Sequence, residues 1–292
     1  MAALIYWISL PFIYLISWLP FSILYLLSDL LYFILYKIFK YRIGVVQRNL
    51  KNAFPEKSEA EIALIRDRFY HYFCDLILET IKTLTISPAT VRSRITFDSM
   101  LAFKRFYQEH QSVIIVMGHF GNWEMAGAGF SQLPLHTLYV IYHPMKNKYF
   151  DRLIYHMRTR LGNKLYAMKE TFRGMIADRN KLTATAFIAD QTPSPDHAYW
   201  TTFLNQDTPV FTGTAKISSK LNYPIIYISM QRPKRGYYHI ESELLIEDPK
   251  SLTEDEISEL HTRRLEKDII ARPELWLWTH RRWKHERKES MS

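Results

Sequence analysis

Cys74 is the only cysteine among 292 residues, so an intramolecular disulfide and a zinc site built on paired cysteines are both excluded. No phosphate-cradling G-x-x-x-x-G-K-[ST] loop, G-x-S-x-G elbow or G-x-G-x-x-G fingerprint occurs, which disfavours a nucleotide enzyme or a serine hydrolase. The chain has no internal repeat, low-complexity tract or linker. Charge is missing from one long stretch: from Leu4 to Phe39 the residues are almost wholly apolar and aromatic, interrupted only by serines, Pro11, Pro20, Asp29 and Lys37. No basic segment precedes this run and no small-residue cleavage site follows it, so the expectation is a retained membrane anchor rather than a removed leader. The two prolines and Asp29 make a kinked span or in-plane helices as reasonable as one straight span. Lys37, Lys40, Arg42, Arg48 and Lys51 follow at once, and such a basic flank favours the cytoplasmic side.

What is present in quantity is hydrophobic sequence, 48% of the chain, and positive charge, +9 net. The first is enough for a sizeable core and excludes disorder. The second calls for a polyanionic partner: nucleic acid, an anionic membrane face, an acidic carrier protein or a phosphorylated substrate. The apolar N-terminus favours the membrane over nucleic acid.

Ser58 with Glu61 forms a capping box that opens a helix to about Leu84, and Thr253 with Glu256 caps a last helix that stops before Pro273. Between them, apolar runs at 112–117, 137–142, 183–189 and 224–230 alternate with amphipathic stretches near 147–161, 171–179 and 213–221, and 237–246 reads as an edge strand. This alternation predicts an α/β fold, a mixed, mostly parallel sheet flanked by helices, behind an N-terminal hydrophobic anchor helix or helices. The corresponding division is an anchor at 1–40, a helical connector at 41–84 and a catalytic domain at 85–292.

The strand-like run from Ser112 empties into Gly118-His119-Phe120-Gly121-Asn122-Trp123-Glu124. Functional residues favour such strand exits, and glycines there let backbone approach a ligand closely. An imidazole can take a proton from a hydroxyl while a carboxylate fixes its tautomer, so His119 and Glu124 read as a general base and its partner; the bland alternative is a buried structural histidine. Spacing alone does not decide, because His261 and Glu266 share it inside a charged helical stretch, where they read as a solvated face. Arg158 and Arg160 do not share a helix face; either could meet a phosphate, and either could be a solvated surface residue. Asp190-Gln191 leaves another strand and could rim the same cleft or start a turn ahead of Pro193. The closing Pro273-Glu274-Leu275-Trp276-Leu277-Trp278-Thr279-His280-Arg281-Arg282-Trp283-Lys284 interleaves indole with cations, a pattern expected at a membrane interface.

Taken together, the His119-to-Glu124 string, Asn147…Asp151…Arg158-Thr159-Arg160, Asp190-Gln191, the Trp-rich end, and Asn49-Leu50…Ala53-Phe54-Pro55 resemble the bacterial lipid A late acyltransferases of the lysophospholipid acyltransferase superfamily, in the same order along nearly the whole chain. The resemblance implies transfer of a fatty acyl chain from a thioester, usually acyl carrier protein and otherwise acyl-CoA, to a hydroxyl of a lipid A precursor at the inner face of the cytoplasmic membrane. It implies no metal or other cofactor and no nucleic acid partner. His119 would be the base, Glu124 its orienting partner, and Arg158 or Arg160 the arginine near substrate. Asn122, Asp190 and these arginines are the substrate-binding candidates. Backbone N–H groups around Gly121 and Asn122, or an arginine, would stabilise the oxyanion. One departure stands out: Asn205 replaces the glycine of the family's Phe-Phe-Gly-x-Pro. Competing readings are an acyltransferase for a phosphoglycerolipid, amino lipid or other glycolipid, a metal-dependent membrane phosphoesterase using His119 and Glu124 as ligands, and a basic membrane-binding module without catalysis.

Overall fold

The computed structural model describes residues 2–287. Helix α1 (Ala2–Trp18) and helix α2 (Phe21–Tyr32), continued by a π-helical turn at Phe33–Ile38, are parted by Pro20, whose ring disfavours helix at the residue before it. Helices α3 (Ile43–Ala53) and α4 (Glu59–Lys82) follow. The predicted capping box opens α4: Glu61 Oε2 accepts from the Ser58 N–H at 2.8 Å, and Ser58 Oγ accepts from the Glu61 N–H at 3.3 Å.

The remainder runs α5 (Pro88–Arg94), β1 (Ile95–Phe97), α6 (Leu101–Gln108), β2 (Val113–Met117), α7 (Trp123–Phe130), β3 (Thr137–Tyr142), α8 (Lys148–Thr159), β4 (Lys164–Ala167), α9 (Thr171–Ala177), β5 (Thr183–Ile188), β6 (Tyr199–Phe203), β7 (Gln206–Val210), α10 (Gly213–Leu221), β8 (Ile225–Lys234), β9 (Tyr237–Ile246) and α11 (Glu254–Ala271). Seven strands form one sheet in the order β1-β9-β8-β2-β5-β3-β4, parallel throughout except between β8 and β9. The expected α/β class, with a mostly parallel sheet between helices, is what is found. Strand β2 is buried at every residue, as a central parallel strand covered on both faces must be. Tyr36, Val46, Leu50 and Phe69 from the N-terminal helices share one continuous apolar core with β2, β5 and β8.

Three expectations need correction. Strand β9 is not an edge: β1 pairs along it in parallel. His261 is not on a solvated face but buried against the sheet side of α11. The Trp-rich end is not a membrane surface. Trp276 and Trp278 are buried, Leu275 C=O accepts from the Gly121 N–H at 2.9 Å, and the Asn49 amide donates to the Trp278 and His280 carbonyls at 3.0 and 3.1 Å. Indole favours any site that is apolar with a hydrogen-bond acceptor at its edge; here the core supplies both.

Asn205 also finds its place. Leu204 and Asn205 have φ of 50° and 61° and form the two-residue turn joining the antiparallel pair β6 and β7. A turn of this hand needs left-handed backbone, which asparagine tolerates at little cost. Its side chain donates to the Ala53 carbonyl at 3.0 Å, so the departure from glycine serves a turn.

Candidate active site

Strands β2 and β5 are parallel neighbours in a register that pairs Met117 with Ile188. Two residues beyond each strand end stand His119 and Asp190, so the sheet itself brings them level at its carboxyl edge, where open α/β sheets bind ligands. His119 Nδ1 lies 2.6 Å from Asp190 Oδ1, and the His119 backbone N–H donates to Asp190 Oδ2 at 2.7 Å. Oδ2 also accepts from Trp276 Nε1–H at 2.8 Å. Asp190 is buried. Burial alone raises a carboxyl; the imidazole beside it and the N–H donors of His119 and Trp276 outweigh that and hold Asp190 down to about 2. It is therefore an anion at every physiological pH.

With Nδ1 donating to this anion, Nε2 carries the free lone pair. It lies 3.3 Å from Gln191 Nε2, and the Trp123 ring meets the imidazole edge-on with centroids 4.9 Å apart. Gly118 makes the approach possible: a Cβ there would stand 3.1 Å from Asp190 Oδ2 and 2.6 Å from Leu265 Cδ1. Gly121, at φ +64°, turns the chain toward α7 where a side chain would collide with Met230.

His119 lines a cavity of about 450 Å³ together with Trp123, Glu124, Arg158 and Gln191. Most of its lining is apolar, including Ile115, Phe130, Leu138, Val140, Phe187 and Ile228. A few polar groups in a mostly apolar lining suit an amphiphilic ligand.

Glu124 does not orient the histidine. Arg158 takes its carboxylate through Nε and Nη2, at 3.0 and 2.5 Å to Oε1. The geometric reason is that Glu124 belongs to the first turn of α7 and faces α8, which carries Arg158 on its last turn. The carboxylate that meets His119 Nδ1 is that of Asp190, at the rim of the same cleft.

The sequence profile described as bacterial lipid A biosynthesis acyltransferase matches residues 1–285. The chain belongs to this family. It is 24% identical over 251 residues to the lipid A biosynthesis palmitoleoyltransferase of Escherichia coli (strain K12), an alignment covering 84% of this chain and 79% of the relative. The lipid A biosynthesis acyltransferase of Shigella flexneri matches with the same identity and coverage. An acyltransferase in the lipid A class is thus the frame for the remaining site residues.

In this acyltransferase only one of the two candidate arginines reaches the cavity. Arg160 Nη1 donates to the Thr83 and Ile86 carbonyls, both at 2.9 Å, tying α8 to the end of α4. Asn122 is buried and does not line the cavity. Its Oδ1 accepts from the Met125 N–H at 3.0 Å, capping α7, and its Nδ2 donates to Glu79 Oε2 at 2.7 Å. Glu79 and Tyr72 of α4, neither singled out from sequence, therefore hold the turn; the Tyr72 hydroxyl donates to the Gly121 carbonyl at 2.6 Å. The N–H groups of Gly121 and Asn122 are already engaged by the Leu275 carbonyl and the Met230 sulfur, so they do not form the expected oxyanion hole.

Behind the site, burial pushes His261 down to about 4 from an ordinary 6.5. The folded state then binds fewer protons than the unfolded chain between those values, so stability falls as pH drops from about 6.5 to about 4, by up to about 3 kcal/mol. Thermal unfolding across this range should show the decline, and His261→Gln should flatten it.

Proposed function

We propose that this acyltransferase moves a fatty acyl chain from a thioester to a hydroxyl of a lipid A precursor, with His119 as general base. The observation that carries the reading is one imidazole anchored by a buried carboxylate at Nδ1 while Nε2 borders an apolar cavity. As the hydroxyl oxygen attacks the thioester carbonyl, Nε2 takes its proton; when the C–S bond breaks, the imidazolium returns that proton to the departing thiolate. Base catalysis of this kind contributes roughly 10²- to 10⁴-fold. Arg158, its charge sustained by Glu124 against burial, supplies a cation beside the reacting centre for the oxyanion or a substrate phosphate.

Acyl carrier protein is the favoured donor because it is acidic and this chain carries +9; acyl-CoA is the other. The setting is the cytoplasmic face of the inner membrane. Support comes from the exposed apolar surface of α1 and α2 and from Phe21–Ile38, long and apolar enough by length and composition to cross a bilayer. A metal phosphoesterase is less suited: among the described residues no three His, Cys, Asp or Glu converge.

The purified protein, given acyl carrier protein thioesters or acyl-CoA and a panel of acceptors, is expected to add one acyl group to lipid A precursors, read by mass spectrometry, with full rate in chelator. Acylation of phosphoglycerolipids or amino lipids in preference would replace the acceptor assignment, and dependence on added metal would overturn the mechanism.

A further inference from the structure

Helix α2 lies against α4 along its whole length, and it does so through polar groups. The Tyr25 hydroxyl donates to Glu79 at 2.9 Å, Ser28 to Asp75 at 2.6 Å and Tyr32 to Asp67 at 2.5 Å. Tyr36 stacks on Tyr70 with centroids 4.5 Å apart and accepts from Arg66 Nε at 3.1 Å. As the number rises from 25 in α2 to 36 in the π-helical turn that continues it, the α4 partner falls from 79 to 66, so the two run antiparallel in contact over this stretch. Asp29, the acid that interrupts the apolar stretch, pairs with Arg235 of the β8–β9 turn at 2.6 Å. Helix α1 is fastened likewise: Lys82 Nζ donates to the Ser17 and Leu19 carbonyls at 2.8 and 2.9 Å, and Tyr6 stacks on Tyr149 of α8 with centroids 5.5 Å apart.

The other face of both helices is bare. On α2 it consists of Ile23, Leu26, Leu30 and Phe33, spaced as one helical stripe, and on α1 of Leu4, Ile8, Phe12 and Leu15. No charged residue occurs from Ala2 to Ser28. Trp7 and Trp18 stand exposed on α1, suited to the headgroup level that indole favours, and Lys37 and Lys40 follow α2, suited to anionic lipid. This composition fits a lipid surface rather than a protein partner.

Deepening the membrane assignment above and resting on it, we infer that α1 and α2 lie in the plane of the membrane, sunk into one leaflet without crossing it. A spanning α2 would carry its bonded partner α4 into the hydrocarbon with it, together with the charged or polar Asp67, Asp75, Glu79 and Arg66, which hydrocarbon disfavours strongly. An in-plane pair keeps all of them on the protein side. The arrangement also sets the route to the active site. Tyr149 opens α8 directly after the loop from Tyr142 and His143, which line the cavity, so the leaflet that holds α1 meets the cavity rim and a lipid acceptor reaches His119 sideways, without leaving the membrane.

The test uses the full chain with two hydrophilic epitopes, one ahead of Met1 and one inserted between Leu19 and Pro20, the corner between the helices. In sealed inner-membrane vesicles with the cytoplasmic face outward, protease should remove both epitopes as completely as a third at exposed Lys250 of the catalytic domain; from the periplasmic side none should be cut. Protection of either epitope in inverted vesicles, with cleavage from the opposite side, means that a helix crosses and sinks the inference. Flotation with vesicles of phosphatidylglycerol and phosphatidylethanolamine separates the two layers of argument: protein that stays at the bottom of the gradient refutes membrane association itself, whereas protein that floats with one epitope protected refutes only the in-plane arrangement.

Discussion

Asp190→Asn should lower kcat for acyl transfer by roughly 10²- to 10⁴-fold, close to the loss from His119→Ala, with little change in KM. Asparagine can turn its NH₂ toward Nδ1, which then becomes the acceptor and leaves the proton on Nε2, the nitrogen that must be bare to receive the hydroxyl proton. The aspartate acts through the histidine, so the double variant should be no slower than the slower single one. Trp276→Phe removes the indole N–H that fills Asp190 Oδ2 together with part of a buried ring packed on Phe203 and Trp278; loss of the donor should cost about tenfold in kcat, within the range of one hydrogen bond to a charged group, and that part of the cost should vanish in the Asp190→Asn background. Asp190 stays ionised down to about pH 2, so no loss of rate between about pH 4 and 9 should trace to it. Steady-state kinetics on the purified variants decide the matter, and an Asp190→Asn enzyme within about twofold of the parent would remove the carboxylate from the base, well outside the expected range.

Much of the fold was legible because it is written in local signals. The capping boxes at Ser58 and Thr253 mark real helix starts, and the apolar runs at 112–117, 137–142 and 183–189 are strands to within a residue of their expected ends. What escaped notice was short or carried no periodicity. Strand β1 has three residues and β4 four, too few for alternation to register. The β6–β7 hairpin hid behind a turn of Leu204 and Asn205, of which only the asparagine is a recognisable turn residue.

The site was half legible for a different reason. His119 could be found from its own neighbourhood, a strand emptying into glycines. Its partner could not, because the contact with Asp190 depends on β2 and β5 lying side by side, a property of sheet order spread over 71 residues. Glu124 was attractive for its nearness in sequence, yet the turn at Gly121 and the start of α7 carry it to α8. The signal that could have identified Asp190 is positional: it stands as far beyond its strand as His119 does beyond its own. The tryptophans failed as markers of location because the pattern of indole beside cation is the same whether the acceptor is a headgroup or, as for Trp276 and Trp278, a buried carboxylate or carbonyl.

The assignment of Glu124 to Arg158 makes a prediction whose sign distinguishes it from the reading based on spacing. Arg158→Ala leaves the largely buried Glu124 carboxylate without its forked donor, and loss of one partner of such a pair costs on the order of 3 kcal/mol of stability. Arg158→Lys should recover little, because an ammonium cannot span Nε and Nη2 geometry. Adding Glu124→Gln to Arg158→Ala removes the stranded charge, and the double variant should regain thermal stability relative to Arg158→Ala alone. Were Glu124 the carboxylate that serves His119, the second substitution would instead deepen the loss of kcat by the 10²-fold or more expected of a base stripped of its partner. Measuring unfolding temperature and kcat on the two single variants and the double therefore separates the roles: a double variant more stable than Arg158→Ala and no slower places Glu124 with the arginine, and one that is markedly slower returns it to the histidine.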